Sequence, residues 1–357
     1  MKVLIAAGGT GGHIYPGIAV AKEILRRDAG SEVLFVGTAR GLEKKIVPEN
    51  SFQLSLINSA GLKNVGFVGK LKGLIVLPRS FWEARKILKG FAPDVVVGAG
   101  GYVSGPVLLT AHFMGFPTLV MDSNALPGFT NRQLARFVDK AALTFDAAIP
   151  FFGQKGVVTG NPVRKEFFNV TQRPVGESIN LLIFGGSQGA RAINDAMMAA
   201  LPLLSGQSAK LSITHQTGDS QFEAVRNGYA ENGWPEADVR PYISNMVEAF
   251  DASDLIISRA GATTCAEVAA AGKAAIMVPF PDAADDHQRK NAEALAVNGA
   301  ARMLVQSELN GEALANELID LISKPELIAE MGASARKMAR PDAAKVAVDM
   351  IEELKRK

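Results

Sequence analysis

The chain has one cysteine, Cys265, in 357 residues, so no internal disulfide can form and nothing in it suits an oxidising compartment. Charge of one sign is missing too. Lys and Arg number 38 against 36 Asp and Glu, and a net +2 gives no general electrostatic case for a nucleic-acid partner. The opening run Met1–Ala7 is too short for a signal peptide and passes directly into Gly8 and Gly9. One stretch, Val95–Met121, contains no Asp, Glu, Lys or Arg and is long enough to span a bilayer. Gly98, Gly100, Gly101, Gly105, Pro106, Gly115 and Pro117 punctuate it, however, into strand, loop, helix and strand. The chain therefore reads as cytoplasmic, though not necessarily away from a membrane surface. What it has in quantity is glycine, 35 residues, within an ordinary globular balance of 48% apolar and 21% charged. Its length favours two domains, each able to bury a core.

Short β-branched runs alternate with helical patterns. Val3–Ala6, Val33–Val36, Asp94–Val97 and Pro117–Met121 read as buried strands, and Ile18, Ala21, Ile24 and Leu25 recur at helical spacing between the first two. This is the signature of βαβ units and a parallel sheet. The pattern restarts with Asn180–Phe184, a helix carrying Ile193, Met197 and Leu201 on one face, and strands at Leu211–His215, Asp254–Ser258 and Ala274–Val278. An α/β architecture of two doubly wound halves follows: 1–160 and 161–340, with the linker near Gly160-Asn161-Pro162 and ligands expected in the cleft between the carboxyl edges. A helix over Ala343–Lys355, after Pro341, is expected to pack back on the first half.

Each half opens with a glycine loop between strand and helix: Gly8-Gly9-Thr10-Gly11-Gly12-His13, and Gly185-Gly186-Ser187-Gln188-Gly189-Ala190. Unpaired backbone N–H groups and the helix dipole favour an anion there, and glycine lets it approach. A nicotinamide dinucleotide fits poorly, because Ile14 replaces the last glycine of G-x-G-x-x-G and no acid ends the second strand (Val36-Gly37-Thr38). The P-loop pattern G-x-x-x-x-G-K-[ST] is absent. A third loop, Ser258-Arg259-Ala260-Gly261-Ala262-Thr263-Thr264-Cys265-Ala266-Glu267, leaves a strand and enters a helix that Gly272 stops. Glu267, the one acid of that helix, reads either as a solvated surface group or as a buried carboxylate for a diol such as ribose; Cys265 reads as core. In Asp282-Ala283-Ala284-Asp285-Asp286-His287-Gln288-Arg289-Lys290-Asn291 the acids suit a metal or, equally, a helix cap and dipole. Gln288 and Asn291, three apart, present neutral donors and acceptors of the kind a sugar needs.

Together these motifs resemble the MurG family, the bacterial UDP-N-acetylglucosamine:lipid I N-acetylglucosaminyltransferases of cell-wall synthesis. The resemblance runs from Gly8 to Pro341-Asp342-Ala343 and includes Gly-Gly-Tyr-Val-Ser-Gly-Pro at 100–106, Gly-Asn-Pro-Val-Arg at 160–164 and Gly-Gly-Ser-Gln-Gly-Ala at 185–190. It implies a GT-B fold, two Rossmann-like domains facing a deep cleft, and an inverting transferase that needs no cofactor or metal. The donor it implies is UDP-GlcNAc and the acceptor lipid I, held at the cytoplasmic face of the membrane. One segment departs: where the family has His-Glu-Gln-Asn, this chain has Met121-Asp122-Ser123-Asn124, keeping only the asparagine and a shorter acid.

The resemblance also implies roles. Ser187 and Gln188 would meet the diphosphate with Arg164 nearby, Ile243 and Met246 the uracil, Glu267 the ribose, and Gln288 and Asn124 the GlcNAc, with Thr10, Gly11 and Gly12 also on the donor. Gly9, Gly100, Gly101, Tyr102 and Ser104 would bind the acceptor and its diphosphate. The departing UDP gains charge that a helix N-terminus and an arginine can stabilise. Inversion needs a general base for the acceptor hydroxyl, and His13, an imidazole at the mouth of the first loop, suits it. His13 reads equally as a ligand of the acceptor diphosphate, with Asp122 then next in line as base.

The window Lys63–Lys89 holds Lys63, Lys70, Lys72, Arg79, Arg85, Lys86 and Lys89 against the single acid Glu83, with Ile75, Phe81 and Trp82 among its apolar residues. A basic rim around exposed aliphatics and a tryptophan is what an anionic membrane surface takes, and Lys72, Ile75, Arg79, Phe81 and Trp82 are its expected face. Pro78 is expected to split the segment. Two other functions fit the same fold: a non-catalytic nucleotide-sugar or lipid-binding subunit, and a UDP-GlcNAc 2-epimerase, which would need no acceptor.

Overall fold

Alternating β-branched runs make central strands, and alternation of side-chain direction sends one set to each face of the sheet. The computed structural model describes residues 1–39, 41–59, 67–176, 178–186 and 188–356, with backbone alone over 67–77. It separates into two units, Met1–Val163 with Arg340–Lys357, and Arg164–Ala339.

The first unit is a seven-stranded parallel sheet of β1 (Lys2–Ala7), β2 (Glu32–Gly37), β3 (Gln53–Leu56), β4 (Val95–Gly100), β5 (Thr118–Asp122), β6 (Lys140–Leu143) and β7 (Gly156–Val158). Their order across the sheet is β3-β2-β1-β4-β5-β6-β7. Val3 and Ile5 face a core shared with helix Gly11–Arg27, whereas Leu4 and Ala6 face helices Phe67–Phe91 and Ser104–Phe113. Both layers are closed to water, the condition under which parallel strands persist. The last helix, Ala343–Lys355, belongs to this unit and buries Ala347, Val348, Ile351 and Leu354 with Ile18 and Ile24. Each large apolar side chain so buried contributes about 1.5–3 kcal/mol.

The second unit is a six-stranded parallel sheet of β8 (Ile179–Phe184), β9 (Leu211–Gln216), β10 (Asp238–Arg240), β11 (Leu255–Ser258), β12 (Ala274–Met277) and β13 (Ala301–Met303), ordered β10-β9-β8-β11-β12-β13. Along β8, Ile179, Leu181 and Ile183 turn to one face of the sheet and share a core with Ile193, Met197 and Leu318.

The uncharged stretch resolves into β4, helix Ser104–Phe113 and β5, as its glycines and prolines require. Among the described residues no helix is long and apolar enough to cross a membrane. One expectation is corrected. Pro78 does not split its segment, because a single helix runs from Phe67 to Phe91 with the proline inside it. One missing N–H interrupts one hydrogen bond of such a long helix, and the remaining turns carry it through.

Candidate functional site

In an open parallel sheet the order reverses at one point, and the loops leaving the two strands beside it diverge to leave a crevice. In the first unit that point lies between β1 and β4, where Gly8–Gly12 and Gly100–Gly101 emerge; in the second it lies between β8 and β11, where Gly185–Gly189 and Arg259–Gly261 emerge. The four glycine-bearing segments singled out by sequence thus sit in pairs at the two switch points.

The first loop is tightly organised. The Gly8 N–H donates to the Gly100 carbonyl (3.3 Å), and the Leu42 N–H donates to the Gly9 carbonyl (3.2 Å). The Gly9 N–H donates to Glu43 Oε2 (3.0 Å), while Glu43 Oε1 accepts from both the amide and the hydroxyl of Thr38. Glu43 is fully buried, and side chains at Gly37 or Gly41 would collide with it. Gly9, expected to meet a diphosphate, therefore has both backbone groups committed inside the protein, and a carboxylate beneath them. Thr10 is exposed, and Gly11 and Gly12 begin the helix.

His13 Nδ1 donates to the Gly8 carbonyl at 3.2 Å. A carbonyl only accepts, so this contact places the proton of a neutral ring on Nδ1 and the lone pair on Nε2. The ring lies against Gly100, whose φ is +118°, and a Cβ there would come within 2.4 Å of His13 Cδ2. Gly101, at φ +81°, stands against the Gly8 carbonyl in the same way, its absent Cβ 2.2 Å from that oxygen. Both glycines are needed by backbone conformation and by close approach. Ser104 is corrected: it is fully buried, its hydroxyl accepting from the Gly100 N–H and lying 3.0 and 2.9 Å from the Ala6 and Gly100 carbonyls, so it braces the loop from beneath. Tyr102 stands 59% exposed at the surface of the same turn.

The segment that departs from the family pattern has a clear local role. Asp122 is buried; Oδ1 accepts from the Asn124 N–H, and Oδ2 from the Gly128 N–H and Asn131 Nδ2. It anchors the loop carrying half-buried Asn124 rather than offering an alternative base.

In the second unit a cavity of about 680 Å³ is walled by the glycine loop, the start of helix Arg191–Ala200, Arg259, Gly261, Thr264, Phe280, Gln288 and Gln306. Two helix N-termini, those of Arg191–Ala200 and Ala262–Ala271, border it, which favours an anion. Gly189, at φ +73°, presses on the Thr217 carbonyl, where any side chain would clash. Gln188 is exposed on this loop; Ser187 lies outside the described residues. Arg259 lies over the Phe280 ring at 5.4 Å and donates to Gln306 Oε1 at 2.6 Å, and its burial lowers the guanidinium pKa from its ordinary value. Gln288 Oε1 accepts from the Phe280 N–H. Asn291 does not share a sugar-facing surface with it: it is fully buried, its amide donating to the Ala260 carbonyl.

Glu267 is 14% exposed and lies 3.6 Å from Arg164, which stacks over Phe167. The solvated-surface reading is thereby excluded. Burial drives its carboxyl pKa up to about 7, against the opposing pull of Arg164. Arg164 is thus joined to the ribose candidate. Ile243 is buried and its backbone N–H donates to Gln216 Oε1 (3.0 Å); Met246, half-buried, opens the next helix. Cys265 is core, burial pushing its thiol up to about 12. Among the described residues no three His, Cys, Asp or Glu side chains group to hold a metal.

On helix Phe67–Phe91, Trp82 is 65% exposed with Lys86 Nζ 5.9 Å from its ring, Arg79 is exposed and paired with Glu83, and Phe81 is half-buried. The side chains of Lys72 and Ile75 lie outside the described ones. Phe113, 74% exposed at the end of the neighbouring helix, clusters with His112 and Phe137.

Three residues were not singled out from sequence: Glu43, Gln216 and Arg259. Arg259 sits within a quoted motif and its position just past a strand, before a glycine, was the available signal. Glu43 and Gln216 gave none, since a helix-start acid and a strand-end amide are ordinary until the fold brings glycines onto them.

The chain matches the glycosyltransferase family 28 N-terminal domain over residues 3–143 and the C-terminal domain over 180–347. It is 46% identical over 354 residues to the UDP-N-acetylglucosamine--N-acetylmuramyl-(pentapeptide) pyrophosphoryl-undecaprenol N-acetylglucosamine transferase of Geotalea daltonii, covering 98% of this chain and 96% of that one. The crystal structure of Acinetobacter baumannii MurG superposes with a TM-score of 0.82 at 35% identity, covering 99% of both chains. A UDP-GlcNAc 2-epimerase from Neisseria meningitidis, bound to UDP-GlcNAc, shares the fold alone: TM-score 0.71, 15% identity, 99% of this chain and 100% of that one. With two GT-B Rossmann-like sheets and near-half identity along almost its whole length, the chain belongs to glycosyltransferase family 28 and, within it, to the MurG family.

Proposed function

We propose that this chain transfers GlcNAc from UDP-GlcNAc to the 4-hydroxyl of MurNAc in undecaprenyl-pyrophosphoryl-MurNAc-pentapeptide, with inversion, giving lipid II for peptidoglycan synthesis. The observation that carries this reading is the 46% identity across 98% of the chain to a transferase of that name. The second unit is the donor domain: the glycine loop and the N-terminus of Ala262–Ala271 take the diphosphate with Arg259, Glu267 takes the ribose, and Gln288 takes the sugar. The first unit takes the acceptor. His13, with its lone pair on Nε2, removes the hydroxyl proton as the glycosidic bond to UDP breaks. Asn124, Thr10, Gly11 and Gly12 complete the donor contacts, and Gly100, Gly101 and Tyr102 those to the acceptor.

The acceptor's polyprenyl chain calls for an enzyme that works at a bilayer, and the proposed side is the cytoplasmic one. Trp82, Arg79, Lys86 and Phe81 are the described part of the face for anionic lipid; Lys72 and Ile75, expected on it too, have side chains outside the described ones. Each basic group near such a surface contributes about 1 kcal/mol. The decisive assay is UDP release from UDP-GlcNAc. Release that requires a lipid I analogue supports the transferase, whereas UDP-ManNAc formed without acceptor would replace it by an epimerase, and donor binding without turnover by a binding subunit. Sedimentation with phosphatidylglycerol vesicles should weaken in high salt and in Trp82→Ser; binding indifferent to both would move the membrane face elsewhere.

A further inference from the structure

Gln216 is 1% exposed at the end of β9, and both ends of its amide are committed. Nε2 donates to the Gly186 carbonyl at 2.7 Å, and Oε1 accepts from the Ile243 N–H at 3.0 Å. A carbonyl must accept and an N–H must donate, so the two partners fix which way the amide points. The Gly186 carbonyl also accepts from the Gly189 N–H (2.9 Å), closing the turn of the glycine loop. One side chain therefore joins the loop proposed for the diphosphate to the segment proposed for the nucleoside.

The residues on either side of Gln216 hold the strand end in place. Asn194 Nδ2 donates to the Thr217 carbonyl and to Gln221, which leaves Asn194 Oδ1 toward His215 Nε2 at 3.1 Å. His215 must then donate from Nε2, and its Nδ1 accepts from the Tyr229 hydroxyl at 3.0 Å. Burial takes His215 down to about 3, so the ring stays neutral in this role. The Thr217 carbonyl bears directly on Gly189, and Gly218 on the Gln188 carbonyl. These contacts hold the end of β9 against the glycine loop.

We propose that Gln216 is a positioning residue that couples the phosphate loop to the nucleoside segment, so that ordering one half of the UDP pocket prepares the other. This rests on the nucleotide reading of the second unit. Coupling of this kind is reciprocal and typically changes affinity by about 5- to 150-fold.

The test measures UDP and uridine affinity by calorimetry for wild type, Gln216→Met and Gln216→Glu between pH 5 and 9. Gln216→Met keeps the volume and removes both hydrogen bonds; it should weaken UDP roughly tenfold, and uridine much less, at every pH. Gln216→Glu should lose more than Gln216→Met when ionised, since a carboxylate cannot donate to the Gly186 carbonyl and adds a negative charge beneath the diphosphate loop. As pH falls the carboxylic acid regains a donor, and the ratio of variant to wild-type UDP affinity should climb back toward one. In-register neighbours of that position are Phe184 and Arg240, the latter paired with Asp238. Relief of the charge alone would return the ratio only to that of Gln216→Met; recovery beyond it requires the restored donor. Wild-type UDP affinity in Gln216→Met, equal losses for UDP and uridine, or a Gln216→Glu ratio that at low pH does not rise above that of Gln216→Met would each overturn the coupling. Wild-type protein that binds no UDP would instead overturn the nucleotide reading beneath it.

Discussion

The two glycine loops occupy equivalent places, each leaving the strand beside a switch point and entering a helix, yet their supports differ in kind. The first rests on a buried carboxylate, Glu43, which takes the Gly9 N–H. The second rests on a neutral amide, Gln216, whose Nε2 donates to the Gly186 carbonyl. A negative group beneath a loop opposes an anion above it; a neutral brace does not. Similar glycine spacing therefore goes with two different supports: one loop holds a histidine, and the other is the one we propose for phosphate.

The comparison breaks most sharply at His13. If the first loop exists to hold a base, His13→Ala should lower turnover by about 10²–10⁴ while UDP-GlcNAc affinity stays near wild type. Loss of activity largely recovered at high acceptor concentration would make the residue a diphosphate ligand instead. Gly100→Ala should act through the same ring, because its Cβ meets His13 and its φ is positive. We expect a fall in kcat on the order of 10–100-fold with intact UDP binding; full activity would show that ring placement is unimportant.

On the donor side, Glu267→Gln should weaken UDP by about 1.5–3 kcal/mol, since an amide accepts at only one of its two terminal atoms and must donate from the other. Calorimetry showing equal affinity would remove Glu267 from the ribose. The smallest effect expected is pH-dependent. The folded-state carboxyl pKa, about 7, lies above the ordinary 4.5, so the native apo protein holds this proton more tightly than the unfolded chain. Its contribution to stability is full below 4.5 and is lost as pH rises through 7. Ribose needs the ionised form, so UDP affinity should fall by at most about tenfold per pH unit below 7, with proton release on binding. Glu267→Gln should abolish that slope; a wild type without it would argue that Glu267 keeps its proton in the complex.

Much of the central sheet was legible because buried parallel strands are continuous apolar runs: Val3–Ala6 and Leu255–Ser258 could hardly be anything else. The outer strands were not. Lys140–Leu143, Gly156–Val158, Asp238–Arg240 and Ala301–Met303 are three or four residues long, and each is too short or too mixed to show a period. The site divides similarly. Glycines that need positive φ announced the loops, whereas Glu43, Gln216 and the His215–Asn194 pair acquire meaning only from partners distant in sequence. Asn291 misled because helical spacing alone does not say which face is buried.

The first unit is discontinuous: the chain leaves it at Val163 and returns at Arg340 to add the helix Ala343–Lys355. During synthesis the second unit has all its strands before the first has its closing helix, so the earlier-made sheet must wait with Ile18 and Ile24 uncovered. C-terminal truncation is expected to unravel the N-terminal unit and spare the one beside the cut, reversing the usual rule that a protein's first-made part is the first to be finished.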